Sequence, residues 1–478
     1  MIPKRAIPTL LAALSLFAIA AAPSPSPYDA WFTARTMRVD LWHTGGPSGE
    51  VIAFDRAVDD GPWPGSRTNL VDDLNLGTYR FEVRDPKTGR ILFSRGTSSI
   101  YSEWETTAEA KKAARTFPES LRFPWPKAPV QVTVARRDAQ NLFREVFSSA
   151  VDPAAWNVNP APRAPMGKVI PLFENGPAAT KIDLLVIGDG YTATEEPKFV
   201  ADARRLIGLL FEKYEPFKSR KSDFNVRLLH LPSAESGVFR PDSKVFRRTP
   251  LSAQYGIFGS ERYVLTYDDR ALREAASAAP YDAIEILVND ARYGGGGVYG
   301  QHATAAAGTA WAEYVFVHEF GHHFAGLADE YYTSDVAYET GGADRPEPWE
   351  PNVTALKDPK NLKWAGLVAA GTPLPTPWEK VAFEKESRAF QAERKKLIAE
   401  GKPPEALDEH FRKEQAVETK LLSSMPFFGK VGAFEGASYE AKGLYRPAAD
   451  CIMFTRDDVG FCPVCRQAIE RVIDREAR

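Results

Sequence analysis

One stretch limits what this chain can become: His318-Glu319-Phe320-Gly321-His322-His323-Phe324-Ala325-Gly326-Leu327-Ala328-Asp329-Glu330-Tyr331-Tyr332. His318 and His322 are two of only seven histidines and stand four residues apart. On a helix that spacing puts them one above the other on a single face. Two imidazole nitrogens so placed can grip one Zn²⁺, and Glu319 beside them can hold an attacking water and take its proton. That is hydrolase chemistry. A surface helix with two histidines is the plainer reading, but Ala310-Trp311-Ala312-Glu313-Tyr314-Val315-Phe316-Val317 runs apolar straight into the motif. A half-buried His pair with no cation to hold would be costly.

A third ligand is needed. Asp329 falls on the angular face of the two histidines, yet on an unbroken helix it would sit about 10 Å beyond His322 along the axis. The helix must therefore stop and turn back, and Gly326 permits a left-handed exit. Glu330 competes with Asp329 for the role, and spacing favours Asp329. His323 points about 100° away from His322 and cannot share the metal face.

The arrangement resembles the metzincin plan, H-E-x-x-H-x-x-G-x-x-H, with the glycine and the third ligand each one residue late and Asp in place of His. The long form from His318 to Tyr331 is similar to the signature of the immunoglobulin A peptidase family of secreted zinc endopeptidases. That resemblance implies one catalytic Zn²⁺ on His318, His322 and Asp329, with Glu319 as base and then acid. Tyr331 and Tyr332 are the candidate oxyanion donors.

From the start of the chain, Lys4 and Arg5, the apolar run Leu10–Ala20 and the small residues Ala18 to Ala22 read as a signal peptide over residues 1–22. With no Cys nearby, a lipoprotein anchor is excluded, and the mature protein is expected to be secreted or periplasmic without stable membrane insertion. A net charge of -3 favours neither nucleic acid nor an anionic membrane. The expected fold class is α+β and multidomain. Residues 28–150 alternate as an N-terminal β-sandwich, with Thr106 to Thr116 as a helical interruption. Its segments Gly61–Arg67 and Phe123–Pro126 are similar to the N-terminal domain of the same peptidase family. Residues 151–168 form a Pro-rich linker, and 169–478 a metzincin-like α/β zinc-peptidase domain with a helical insertion at 378–422.

Several smaller features carry expectations. Gly294, Gly295, Gly296 and Gly297 precede the histidine helix with no Gly-Lys-Ser/Thr after them, so a nucleotide loop is excluded. They read either as a flexible loop or as a bare edge strand against which a substrate backbone could pair. The charges of the insertion read as a solvated surface, with a lid as the sharper alternative. Asn352-Val353-Thr354 matches a glycosylation sequon. Leu444 to Phe454 resembles the family's Met-turn region, which makes Met453 the apolar floor under the metal. Three cysteines cannot by themselves complete a four-ligand zinc site, and in an exported protein Cys451 is expected to pair with Cys462 or Cys465. The expected substrates are extracellular proteins or peptides, cut in flexible linkers such as an immunoglobulin hinge. The rivals are an inactive binding protein on the same fold and a zinc aminopeptidase or amidase.

Overall fold

Alternating β-branched and aromatic residues shape the N-terminal region of the chain, as they do where one face of each strand is buried. The computed structural model describes residues 27–334, 336–337 and 346–477; the signal-peptide reading of 1–22 lies outside them. The fold is mixed α/β, with eight α-helices and several sheets among the described residues. Phe32–Gly46 is the centre of one four-stranded sheet, antiparallel to Gly49–Pro62 and Arg115–Pro126. In another four-stranded sheet, Tyr79–Arg84 and Val130–Arg137 pair centrally, flanked by Ile91–Thr97 and Phe143–Val151. Met37, Val39 and Leu41 from the former and Phe81, Val83, Val132 and Val134 from the latter share one apolar cluster.

Residues 106–116, expected to be helical, form turns that lead into a strand. The helix lies just before, at Ile100–Trp104, where Ser99 and Ser102 cap each other's backbone. The Pro-rich segment runs back along the sheet centred on Phe32–Gly46, its Val158–Asn159 pairing in parallel with Ala57 and Val58.

The C-terminal region is built on a six-stranded sheet in the order Gly295–Val298, His302–Ala306, Ala283–Val288, Ile182–Asp189, Phe224–His230 and Lys168–Phe173. The inner four are parallel and the two outer strands antiparallel. Every residue of Ile182–Asp189 and Ala283–Val288 is buried, because both faces are covered. Helices Glu196–Lys213, Ala312–Ala325 and Pro463–Glu476 share the large core on one face, and Asp269–Ala276 closes the other.

The insertion is a pair of helices, Lys380–Ala399 and Pro404–Ser423. The expectation that its charges are merely solvated fails on one face: His410, Phe411, Glu414, Glu418 and Leu422 recur at helical spacing and are buried. Glu414 meets Arg456, beyond the insertion, at 3.0 Å. The N-terminal and C-terminal regions are joined by a buried ionic network in which Arg38 contacts Asp40, Asp60 and Glu274 at 2.7, 2.9 and 3.1 Å. No helix among the described residues is long and apolar enough to cross a membrane.

Candidate metal centre and active-site cleft

The helix Ala312–Ala325 carries the motif with nearly its whole surface buried. It ends at Gly326, whose φ of 60° is left-handed, and the Leu327 N–H turns back toward the Gly321 carbonyl at 3.4 Å. Gly321 stands directly before His322 on this helix. A Cβ there would lie 3.1 Å from Met453 Sδ, so the missing side chain lets the methionine press against the helix. Met453 is fully buried, and its carbonyl accepts the Glu330 N–H at 2.8 Å.

The tautomers of the two histidines follow from their neighbours. His318 Nδ1 donates to the Ile452 carbonyl at 2.9 Å, and His322 Nδ1 to the Leu327 carbonyl at 2.5 Å. A carbonyl can only accept, so each imidazole in its neutral form leaves Nε2 with a bare lone pair. These lone pairs face each other at 3.1 Å and face Asp329 Oδ1 at 2.9 and 3.2 Å. With both imidazoles neutral, three acceptors thus converge on one point. Donors bound to zinc at 2.0–2.1 Å with tetrahedral angles stand about 3.3 Å apart, so the triangle fits such an ion. The electrostatics agree in sense. A proton can stand in for that ion: burial works against a charged His322, but Asp329 outweighs it and raises the imidazole to about 9. Asp329 is in turn held well below the usual carboxylate range, its burial overcome by His322 and His318. The pocket calls for a cation.

Asp329 Oδ2 accepts a short hydrogen bond from the Tyr439 hydroxyl. Ser438 and Tyr439 form the turn between strands Phe434–Ala437 and Glu440–Arg446, both at positive φ, and their N–H groups bond to the Asp329 and Tyr331 carbonyls at 3.0 Å. Glu319 is half-buried at the cleft floor; burial raises its carboxyl above the ordinary range, partly offset by His318 and His322. Tyr331 lines the cleft, and Arg262 Nη2 lies 3.3 Å from its hydroxyl.

The other residues singled out from the sequence go elsewhere. Glu330 turns away from the histidines toward Cys465, so the alternative of Glu330 as third ligand is not what the geometry offers. Tyr332 is buried against Gly436 and stacks with Phe454, outside the cleft. His323 faces the sheet, with Nδ1 on the Val298 carbonyl and Nε2 accepting the Ile284 N–H. The expected disulfide is not formed: Cys451, Cys462 and Cys465 are free, and Cys451 Sγ and Cys465 Sγ stand 3.8 Å apart where a bond needs about 2.0 Å. Asn352 of the sequon is fully buried, its amide bonded to both backbone groups of Ala328 and to Glu330, so no glycan can reach it.

The glycine tract forms the edge strand Gly295–Val298, flush with the histidine helix. A Cβ at Gly297 would meet the Glu319 carbonyl at 2.3 Å, and one at Gly295 would meet Val315 at 2.4 Å. Some of its outer edge is taken, since the Gly295 N–H bonds to the Arg262 carbonyl at 3.1 Å. The cleft beside it has a volume of about 370 Å³ and is walled on the far side by Ser102, Glu103, Glu105 and Thr106 of the N-terminal region. That region is docked by its own backbone: the Ser98 N–H bonds to the Tyr299 carbonyl at 2.9 Å, and Gln301 reaches Thr97 and Ser98. A second cavity continues past His318 and Glu319 to Phe383, Ser387 and Gln391 of the insertion.

Two family models match the chain: IgA peptidase M64 over residues 170–473, and the Peptidase M64 N-terminus over residues 27–148. The chain belongs to the IgA peptidase M64 family. It is therefore a peptidase, of a family whose members are metallopeptidases, and it carries candidate metal ligands of the required kinds. A search of the curated proteins gives no match. Several site residues of this M64 chain escaped the sequence. Tyr439 is 110 residues from the carboxylate it holds, and Arg262 precedes the motif by more than fifty. Neither sits in a recognisable pattern.

Proposed function

We propose that the chain is a zinc-dependent endopeptidase that acts outside the cytoplasm. The observation that carries this reading is the triangle of two bare imidazole nitrogens and one carboxylate oxygen, with Glu319 beside it on the floor of a long cleft. His318, His322 and Asp329 would hold Zn²⁺, which when bound polarises the scissile carbonyl and acidifies the attacking water. Glu319 takes the proton of that water and delivers it to the leaving amine. Its burial-raised carboxyl suits a group that must both accept and return a proton. Tyr331, with Arg262 behind it, donates to the oxygen that becomes negative as the carbonyl is attacked. Tyr439 fixes the orientation of Asp329, and Met453 keeps the floor apolar.

Internal cleavage rather than removal of terminal residues is supported by the position of Glu319, which borders cavities on both sides. A substrate chain can run on past the site in either direction, toward the N-terminal region or toward the insertion. Walls contributed by three regions of the chain favour extended segments, such as the linkers of extracellular proteins and the hinge of immunoglobulin A, over compact domains. The test is Glu319→Gln with internally quenched peptides blocked at their N-termini. The wild type is expected to cut them and lose activity to a chelator. The variant is expected to keep its zinc and lose about 10²–10⁴-fold in kcat. Sparing of every blocked peptide would turn the reading to an aminopeptidase, and full activity in a zinc-loaded Glu319→Gln would remove Glu319 from the chemistry.

A further inference from the structure

All three cysteines of the chain converge on one buried carboxylate, behind the residue that faces the histidines. Asp329 and Glu330 are consecutive, yet they leave the backbone on opposite sides. Glu330 is fully buried; its Oε1 accepts from Asn352 Nδ2 at 3.0 Å and lies 3.4 Å from Cys465 Sγ, and its Oε2 has no partner among the described residues. Cys451 Sγ is 3.8 Å from Cys465 Sγ and accepts the Cys462 N–H at 3.3 Å. One donor atom from each of Glu330, Cys451, Cys462 and Cys465 lies within 4.8 Å of the other three, and all four residues are buried.

We propose that Glu330, Cys451, Cys462 and Cys465 form a second, structural metal site that takes Zn²⁺, separate from the histidine site. Thiolates bound at about 2.3 Å in a tetrahedron stand about 3.8 Å apart, and a thiolate and a carboxylate oxygen about 3.5 Å apart. The two separations here match both. Four protein donors with no open position is the structural type of zinc site, and soft sulfur selects zinc over calcium or magnesium. A disulfide between any two cysteines would instead leave the third thiol beside a buried carboxylate with an unused oxygen, which is a costly arrangement.

Neighbouring groups suit a metal. Cys462 occupies the N-cap position of the helix Pro463–Glu476, where the helix dipole favours a thiolate. Asn352 orients Glu330 as outer partners orient metal ligands. The buried Arg446 offsets some of the negative charge of the four donors. Binding would release the thiol protons and tie together three pieces that otherwise only pack: the turn carrying Asp329, the Cys451–Met453 loop under the histidine helix, and the last helix.

Metal analysis of the purified full-length chain tests this directly. Two zinc ions per chain are expected in the wild type, one in His318→Ala/His322→Ala, and one in Cys462→Ser/Cys465→Ser. After cobalt exchange, the near-ultraviolet thiolate-to-cobalt band is expected in the wild type and the histidine double variant but not in the cysteine variant. The histidine variant leaves the cysteine cluster untouched, so it decides the matter even if the cysteine variant fails to fold. A metal-free histidine variant would overturn the proposal, as would a denatured, chelated wild type lacking two thiol hydrogens because of a disulfide. Neither result would touch the reading of the histidine site, whose own zinc is counted in the cysteine variant.

Discussion

Replacing Gly297 with alanine would test how tightly the edge strand and the histidine helix are held together. The added Cβ would lie 2.3 Å from the Glu319 carbonyl oxygen and 3.0 Å from His322 Cβ, where ordinary contact begins at 3.4 Å. The nearest neighbour is backbone in the middle of a buried helix, so no rotamer change relieves the clash. Strand and helix must separate by about 1 Å. Overpacking of this kind costs about 1–3 kcal/mol, and a misplacement of about 1 Å at a catalytic centre costs on the order of 10²-fold in rate. The displaced segment contains both the proposed base and a proposed ligand, so kcat/KM on a quenched peptide is expected to fall about 10²-fold, with a melting temperature lowered by several degrees. Gly296→Ala is the control. Its Cβ points to the other face, toward the Leu265 side chain at 2.9 Å and the Val264 carbonyl at 3.1 Å, and it should cost stability without a comparable loss of rate. Wild-type kinetics and melting in Gly297→Ala would show that the strand is not seated against the helix in solution.

Tyr439→Phe removes the donor to Asp329 Oδ2 and is expected to weaken zinc binding at the proposed histidine site about 10–100-fold in chelator competition; unchanged affinity would make the contact incidental. His43 lies between Glu50 at 2.8 Å and Glu119 at 3.0 Å; burial opposes its charge, but the two carboxylates prevail and raise it to about 9. Its folded value exceeds the unfolded value of 6.5, so its contribution is complete below that pH and fades as the pH rises through about 9. That contribution is about 3 kcal/mol, and urea titrations should show a decline in wild-type stability across this window that is much smaller in His43→Gln. Asn352→Ala leaves the Ala328 N–H without its buried acceptor and is expected to cost about 1–3 kcal/mol by the same assay. Protein made in a glycosylating host should carry no glycan at Asn352.

What the sequence made legible was whatever a local period or a steric rule governs. The four-residue spacing put His318 and His322 on one face, and the reach of a helix forced a stop before Asp329, which Gly326 supplies. The strands of the N-terminal region were legible because a strand with one buried face alternates apolar and polar residues. What stayed hidden depended on the far side of a residue. Asn352 matched a surface sequon by three letters, while its environment comes from Ala328 and Glu330. The insertion was read by composition, which counts its glutamates but not the buried row from His410 to Leu422. Nothing local marks Tyr439 as a partner of Asp329, because two left-handed residues in a distant hairpin bring it there.

The opposite facing of Asp329 and Glu330 makes the length of this turn a matter of parity. A loop that only spans a gap can gain or lose a residue and bulge. Between Gly326 and Asp329 a single deletion would swing the Glu330 carboxylate toward the histidines and leave the cysteines facing Tyr331, and a single insertion would present Ala328 to the histidines and Asp329 to the sulfurs. Either change alters both clusters at once. The count of residues after the helix is thus fixed more tightly than their identities, and engineered chains should accept substitutions in this turn far more readily than any change in its length.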